Sequence, residues 1–341
     1  MNMKNFGEPM SIRGCSCFGM ARVLFLSSLV IVSAAGAGAQ QEVSRVDGIE
    51  AATQPVATQP VATPQVMSQG SVSNAEPDSW WERYEARVTA TQSMQPHWVT
   101  PLVTVTPRLE QEVRTDFLHY YNTKGRVLWN YGNGKGLELI PEKHTEIIVN
   151  VPPFFNRSNG ESDGFGDISF LAKERIFSRN EEQGNGIVTV FVAGSVPTGK
   201  NGNGSCCAVV TPTLAMGKGF GQWAFTTTAG GSLPVTNSKG LGHTIAWNNT
   251  LQYRAAKSGV ARLFWPEVES NTSFYDGGAN DGKTASYVTA GVVIGRISLL
   301  PHSQTVAGKR LGLTLGAGEQ VAVTHFNTYN HETVLTARIP F

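Results

Sequence analysis

The C-terminal residues of the chain alternate strictly between two kinds of side chain. The apolar ones share one parity and are Leu335, Ala337, Ile339 and Phe341. Thr336 and Arg338 share the other parity. Because successive side chains of a strand point to opposite faces, this segment predicts a strand with one apolar and one polar face that ends on an aromatic residue. Such a last strand is typical of a transmembrane β-barrel.

The N-terminal residues predict a removable export signal. Arg22 precedes an apolar run over 23–32, and Ala37-Gly38-Ala39 supplies the small residues of a cleavage site. The run is shorter than the roughly 20 residues that a membrane helix needs, so a signal peptide over residues 1–39 is favoured over a membrane anchor.

Composition narrows the function of the exported part. Removing residues 1–39 takes away three basic residues and one acidic residue, so the formal charge changes from +1 to −1. No basic excess remains to attract nucleic acid. Only Cys206 and Cys207 stay, and adjacent cysteines do not staple distant segments. They are interpreted as bystanders in an external loop, with a vicinal disulfide or a metal contact as alternatives. No cofactor is implied.

Residues 40–100 differ in composition from the rest of the chain. An Ala-Thr-Gln-Pro-Val repeat over 52–61 and few large apolar residues predict a flexible, disordered periplasmic segment. A short aromatic stretch, Trp80-Trp81-Glu82-Arg83-Tyr84, follows within this segment. It predicts a helix over about 79–94 that either rests at the membrane interface or plugs the barrel mouth. The barrel domain is expected over residues 101–341.

Beyond Pro107 the chain reads as a series of alternating strands. They are predicted near 109–121, 136–141, 144–154, 165–177, 186–197, 207–218, 222–234, 243–256, 260–274, 284–297, 309–325 and 332–341. The even number matches single-chain bacterial barrels. The predicted fold class is therefore all-β, an antiparallel transmembrane β-barrel of about 12 strands.

Connection lengths predict how this barrel is oriented. Tight turns such as 218–221 and 257–259 alternate with longer polar connections, namely 122–135, 155–164, 198–206, 235–242 and 276–283. In bacterial barrels short turns face the periplasm and long loops face outward. The expected location is the cell outer membrane, with outer-membrane lipid and the barrel-assembly machinery as partners.

A soluble β-sandwich would also alternate, but it would hide its apolar face. Here large aromatic and aliphatic residues fill one face of strand after strand, while the opposite face is dense in Gly, Ser, Thr and Asn. That distribution favours a barrel with a polar lumen.

Several short motifs resemble a known family. They are Gly164-Phe165-Gly166-Asp167, Lys173-Glu174-Arg175, Pro197-Thr198-Gly199, Gly217-Lys218-Gly219, Leu233-Pro234, Asn330-His331-Glu332 and the terminal Arg338-Ile339-Pro340-Phe341. Residues 100–341 resemble the outer-membrane transporters named for the meta-pathway of phenol degradation. The resemblance implies uptake of small solutes, aromatic or hydrophobic compounds among them. Glu174 departs from the aromatic residue expected there. Its parity points it to lipid, which is tolerable for a carboxylate only near the periplasmic rim, so we expect it there.

The polar parity collects a set of charges that we predict to line the lumen. They are Glu110, Glu112, Arg114, Asp116, Asp167, Lys173, Arg175, Arg254, Glu267, Glu269 and Arg338. Opposed charges set the selectivity of a hydrated pore, or they close the lumen by pairing across it. Both interpretations stay open, and Arg254 is expected beside Glu267 and Glu269. A small-molecule solute is the expected partner of this lumen.

Two other functions and one irregular position complete the prediction. A structural or adhesive barrel without transport is the alternative. A phospholipase-type barrel is disfavoured, because no His-x-Ser pair exists in the chain. Glu319 shares parity with Leu313 and Leu315, so a bulge near 316–318 is expected to turn it inward.

Overall fold

The computed structural model describes residues 79–122, 127–158, 162–236 and 238–341. In this described part, antiparallel strands form a closed ring of twelve positions, and the last strand pairs with the first. The predicted all-β barrel is confirmed, including its strand number. The predicted signal peptide and the repeat at 52–61 lie outside the described residues.

Nine of the strands in the described part are continuous, and three are built from two segments each. The strands are β1 Glu112–Asn122, β2 Val127–Gly132 with Gly136–Glu142, β3 Thr145–Asn150 with Phe154–Arg157, β4 Gly164–Phe165 with Ile168–Arg179, β5 Gly186–Val196, β6 Val209–Phe220, β7 Trp223–Pro234, β8 His243–Tyr253, β9 Phe264–Asp276, β10 Thr284–Ser298, β11 Gly312–Ala322 and β12 Tyr329–Pro340. Both segments of β2 pair with β1, which makes them one position in the ring.

The prediction of a loop over 122–135 is wrong, because β2 already begins at Val127. Its first segment alternates correctly but ends in Gly132-Asn133-Gly134, whose φ angles are +88°, +45° and +59°. Such left-handed residues interrupt a strand, and glycine and asparagine tolerate them best. The Lys135 N–H donates to the Gly132 carbonyl at 2.8 Å and closes a turn inside the strand. In the sequence this inserted turn looks like part of a loop.

The two faces of the barrel wall differ as the alternation predicts. On β7, Ala224, Thr226 and Thr228 are buried inside, whereas Trp223 and Phe225 are 48% and 38% exposed on the outside. β9 behaves likewise: Glu267 and Glu269 are buried, and Val268 between them is 52% exposed. An apolar outer surface around a polar interior excludes the β-sandwich.

The connections are sorted between the two ends of the barrel. One end, here called the turn end, carries 143–144, 180–185, 221–222, 254–263 and 299–311. The other, the loop end, carries the connections after β1, β3, β5, β7, β9 and β11. Not every connection at the turn end is short. The connection 254–263 contains a 3₁₀ turn over Val260–Leu263, which replaces the predicted start of β9.

The described part also contains three short or medium α-helices: α1 Trp80–Ser93, α2 Ser238–Leu241 and α3 Val306–Arg310. A capping box starts α1, since the Ser79 side chain accepts from the Glu82 N–H at 3.1 Å and Glu82 accepts from the Ser79 N–H at 3.2 Å. None of the helices in the described ranges has the length and apolarity to cross a bilayer.

The bulge expected near 316–318 is absent. Ala317, Gly318 and Glu319 pair in regular register with β10. Glu319 therefore stays on the outer face, where it accepts a hydrogen bond from Thr333 Oγ1 at 2.7 Å and lies 2.9 Å from His331 Nδ1. These neighbours on β12 supply polar contacts for the carboxylate on the outer face, so no bulge is needed to turn Glu319 inward.

Candidate functional site

Residues 94–111, which we name the lumen segment, run through the interior of the barrel. Gln95, Trp98, Leu102 and Leu109 in this segment are each at most 3% exposed. The sequence left open whether the preceding helix, over about 79–94, rests at the interface or plugs the barrel mouth; the structure places residues 94–111 inside the barrel.

The helix that precedes the lumen segment lies across the turn end. Arg310 of α3 forms an ion pair with the Glu85 side chain of α1. Arg310 also donates to the main-chain carbonyl of Glu85 at 3.1 Å. On another side of the ring, Arg175 donates to the Thr91 carbonyl at 2.8 Å. Because α3 and β4 each contact α1, the helix is fixed over the turn-end opening at two separate points.

Two carboxylates of β9 bind the backbone of the lumen segment. Glu267 accepts from the Leu102 N–H at 2.8 Å, and Glu269 accepts from the N–H groups of Val103 and Thr104 at 2.8 and 2.7 Å. Glu269 is fully buried. Hydrogen bonds to a charged acceptor are about twice as strong as neutral ones, so these contacts attach the segment firmly to β9.

Basic side chains of the wall bind the carbonyl groups of the same segment. Arg338 on β12 donates to the Thr100 and Pro101 carbonyls at 2.6 and 2.5 Å. Arg114 on β1 donates to the Leu102 carbonyl at 2.7 Å. The wall thus binds main-chain donors of the segment from β9 and main-chain acceptors from β12 and β1, and the segment is held in one extended course.

One apolar side chain anchors the centre of the segment. Leu102 lies against Gly291 of β10 and against Gly316 and Gly318 of β11. A Cβ at any of these three positions would come within 2.3–2.7 Å of a Leu102 methyl group, which is closer than real contacts allow. These glycines therefore form the seat of Leu102, a role that adds close packing to the polar attachments.

Two ion pairs complete the interior. Arg114 and Asp116 pair at 2.8 Å, and Lys173 pairs with Glu146 at 2.9 Å; all four side chains are at most 5% exposed. A buried pair costs several kcal/mol when one partner is removed, because the other charge is left uncompensated. The interior charges therefore serve to fill and order the lumen in this structure.

The structure brings most of the predicted lumen set together. Its inward members are Glu110, Glu112, Arg114, Asp116, Lys173, Arg175, Glu267, Glu269 and Arg338, all buried. Glu110 precedes β1 and belongs to the lumen segment rather than to the wall. Two members lie elsewhere, Asp167 and Arg254.

Asp167 organises connections at the loop end instead of lining the lumen. Its carboxylate accepts from the N–H groups of Thr198 and Gly199 at 3.0 and 2.8 Å, and from the N–H and hydroxyl of Ser205 at 2.7 Å each. Although partial burial opposes it, these hydrogen bonds hold the pKa of Asp167 below its ordinary value. Asp167 thereby joins the Gly164–Asp167 motif to the Pro197–Gly199 motif.

Arg254 is not beside the two glutamates of β9. It follows the end of β8, and its guanidinium lies 5.7 Å from the centre of the Trp265 ring. Gln252 takes the expected place and donates to Glu267 at 2.6 Å. Arg254 lines a cavity of about 480 Å³ at the turn end, which also contacts Trp98 and Arg338.

The entrance of the lumen segment is fixed to the turn between β4 and β5. Glu181 accepts from the His97 N–H at 2.5 Å and lies 2.7 Å from its ring Nδ1. Burial would raise the pKa of Glu181, but the hydrogen bonds from His97 outweigh it and lower the pKa to about 2. The carboxylate is ionised at neutral pH and can keep this contact.

Sequence analysis missed several functional positions. Trp98 and Leu102 carried no signal, because an isolated apolar residue in a polar segment has no periodicity. Glu146 did carry a sequence signal, because it lies on a predicted strand with parity opposite to Ile147 and Val149. That parity places it with the predicted lumen-lining charges. Cys206 and Cys207 lie in the connection after β5, with their sulfur atoms 2.8 Å apart.

Comparisons with known proteins found only distant structural similarity. No family model matches the chain, and no curated protein matches it. An outer membrane channel from Pseudomonas putida F1 aligns with a TM-score of 0.47 and 14% identity, over 72% of this chain and 100% of that one. The NanC porin aligns with a TM-score of 0.42 and 10% identity, over 67% and 98%. OccD3 (OpdP) of Pseudomonas aeruginosa aligns with a TM-score of 0.32 and 14% identity, over 67% and 60%.

Proposed function

We propose that this chain is an outer-membrane β-barrel that passes or binds a small solute, and that the lumen segment is its gate. The observation that carries the proposal is how the segment is held. Glu267, Glu269, Arg338 and Arg114 bind its main chain through hydrogen bonds. Water can replace such bonds when the segment moves. The apolar contacts of Trp98 and Leu102 with the wall must separate in the same movement.

The outer surface supports a place in the membrane. Large apolar side chains cover it, and aromatic residues lie near both rims. Near the turn end these are Phe177, Phe220, Trp223 and Phe264, and near the loop end Trp129, Phe165 and Phe274, each at least 39% exposed. An apolar band between two aromatic belts matches a membrane barrel, because aromatic rings favour the headgroup level.

The class of solute is proposed from two features. The resemblance of residues 100–341 to the meta-pathway transporters favours small aromatic or hydrophobic compounds. The cavity at the turn end is lined by the rings of Trp98 and Trp265 as well as by charged groups. Indole rings offer such compounds a flat apolar surface.

A structural barrel without transport is the second candidate. The buried pairs Arg114–Asp116 and Lys173–Glu146 favour it, because a lumen closed by ion pairs conducts little. The two candidates differ in whether the lumen segment must move for the protein to work.

A disulfide between the segment and the wall tests the gate. Leu102→Cys and Gly316→Cys are combined in a chain whose Cys206 and Cys207 are replaced by serine. A Cβ at 316 would lie 2.5 Å from Leu102 Cδ2, so the two new side chains are within reach of each other. We expect the oxidised barrel to conduct at least about ten-fold less in planar bilayers than the reduced one, since conduction needs a continuous hydrated path.

Leu102→Cys alone, in the same serine background, is the matched control and should respond to neither oxidant nor reductant. Equal conductance before and after the disulfide forms would show that the segment is not the gate. Conductance that is absent in every state, with folded protein, would favour the structural barrel.

Orientation follows from the two ends of the ring. Protease-cleavable tags at Asn201 and Gly278, both in loop-end connections, should be cut on intact cells. A tag at Ser258, in a turn-end connection, should be protected. Cleavage only at Ser258 would place the turn end, which carries the tight turns 143–144 and 221–222, outside the cell and so reverse the orientation.

A further inference from the structure

The cavity at the turn end carries an excess of positive charge. Its volume is about 480 Å³, within the range of sites for small ligands. Five arginines line it, Arg108, Arg254, Arg262, Arg296 and Arg338. Three glutamates face them, Glu110, Glu112 and Glu181. Charges of one sign in a concave, low-dielectric wall attract the opposite charge.

Much of the charge in this cavity is already compensated. Arg108 pairs with Glu110 at 3.3 Å, and Glu181 contacts His97. The two terminal nitrogens of Arg338 donate to carbonyls of the lumen segment. Arg296 donates to the Arg310 carbonyl. Among the described residues, Arg254 and Arg262 are the arginines of this cavity whose guanidinium groups have neither an ion pair nor a carbonyl acceptor.

Arg254 and Arg262 form no ion pair with any carboxylate in the described ranges, while Arg108 in the same cavity does. The Arg254 guanidinium lies over the Trp265 ring, an arrangement that orients the planar fork and leaves its edge for another partner. Two arginines of one connection thus present unpaired charge at one opening.

The backbone around Arg254 is firmly placed. Its N–H donates to the Gln222 carbonyl at 2.8 Å, and the Gln222 side chain donates back to the Arg254 carbonyl at 2.7 Å. The Ala255 N–H donates to the Phe264 carbonyl at 3.0 Å. A cation on a fixed backbone loses little conformational freedom when a ligand binds. Arg254 is therefore better suited to hold a ligand than a charge on a mobile surface segment would be.

Unpartnered donors give a second, independent indication. The indole N–H of Trp98 has no acceptor among the described groups, although Trp98 is only 3% exposed and lines this cavity. The Arg254 Nε is also without an acceptor in this part of the chain. Buried donors of this kind are normally satisfied, so an acceptor is expected in the cavity.

We propose that this cavity binds a small organic anion. The guanidinium groups of Arg254 and Arg262 hold its charged group, the Trp98 N–H donates to it, and the Trp98 and Trp265 rings contact its apolar body. The site deepens the proposed function, since it lies at the turn-end mouth of the barrel. Binding itself needs no open pore.

The test uses the full chain, refolded in detergent, and titration calorimetry with benzoate. Benzamide is the uncharged analogue of the same shape, and sulfate is an anion without an apolar body. We expect saturable benzoate binding and at least about ten-fold weaker binding of the other two, because a guanidinium–carboxylate contact is a strong charge-assisted bond. The double variant Arg254→Gln with Arg262→Gln should lose benzoate by a similar factor.

Lys257→Gln is the matched control, because Lys257 lies in the same connection but does not line the cavity. It should bind benzoate as the unchanged protein does. Trp98→Phe keeps an aromatic ring, removes the unpartnered donor, and should weaken binding several-fold. Heat-modifiable migration on gels shows that each variant is folded.

Benzamide or sulfate binding as tightly as benzoate would overturn the proposal. So would equal losses in the Lys257→Gln control and in the arginine variant. Because the titration requires no membrane, it separates this site from the gate. Benzoate binding in a barrel that never conducts would support the site while the proposed function fails.

Discussion

Replacing Glu269 with glutamine is expected to loosen the lumen segment and raise the open probability of the barrel. The carboxylate accepts from the N–H groups of Val103 and Thr104 and from the Thr250 hydroxyl. Glutamine offers one oxygen, and its amide NH₂ would face an N–H donor. Leaving a buried donor unpaired costs about 1–3 kcal/mol, which corresponds to a roughly 5- to 150-fold shift between closed and open states. Single-channel recording measures this shift directly.

Glu319→Gln is the control for this substitution. It makes the same chemical change on the outer face of β11, where the carboxylate contacts His331 and Thr333 and not the lumen segment. It should leave the open probability unchanged. A folded Glu269→Gln barrel that opens no more often than this control would contradict the role given to Glu269.

Replacing the neighbouring Val268 with arginine is expected to damage the barrel instead of the gate. Val268 is 52% exposed on the outer face, one residue from the buried Glu269. If the outer face meets lipid, an arginine near the bilayer midplane costs about 2–4 kcal/mol. The stability of the barrel in vesicles, measured by urea unfolding, should fall by this amount, and the yield of folded protein should fall with it.

Val268→Leu should be neutral in the same measurement, because it keeps an apolar side chain on the outer face. A tolerated arginine at 268 together with a misfolded Glu269→Gln variant would mean that the two faces of β9 are exchanged. The pair of substitutions therefore tests the register of this strand at single-residue resolution.

The wall recognises the main chain of the lumen segment more than its side chains. Carboxylates of β9 bind N–H groups, and Arg338 and Arg114 bind carbonyls. Main-chain groups are the same in every residue except proline. The segment can therefore vary in sequence between its anchors, provided that it stays extended and that Leu102 keeps its seat on the three glycines.

Much of the barrel could be predicted from the sequence. Strict alternation on β7, β9 and β12 settled which side chains face outward, because the period of a strand leaves only two choices. The number of strands followed from the same pattern. The alternation of tight turns and longer connections sorted most connections between the two ends. The turn inside β2 was misread, since its glycines and asparagines are also the residues of loops. The 3₁₀ turn over Val260–Leu263 was misread as the start of β9.

Only the tertiary structure shows what the inward-facing side chains contact. Parity shows that Glu267 and Glu269 point inward, but not whether they meet water, a cation or a peptide backbone. The residues that occupy them, Leu102 to Thr104, are about 165 positions away in the chain. Asp167 illustrates the same limit, because its partners Thr198 and Ser205 are 31 and 38 positions away, in the connection after β5. A strand pattern is local and fixes direction, whereas the partner of a buried charge depends on which distant segment the closed barrel encloses.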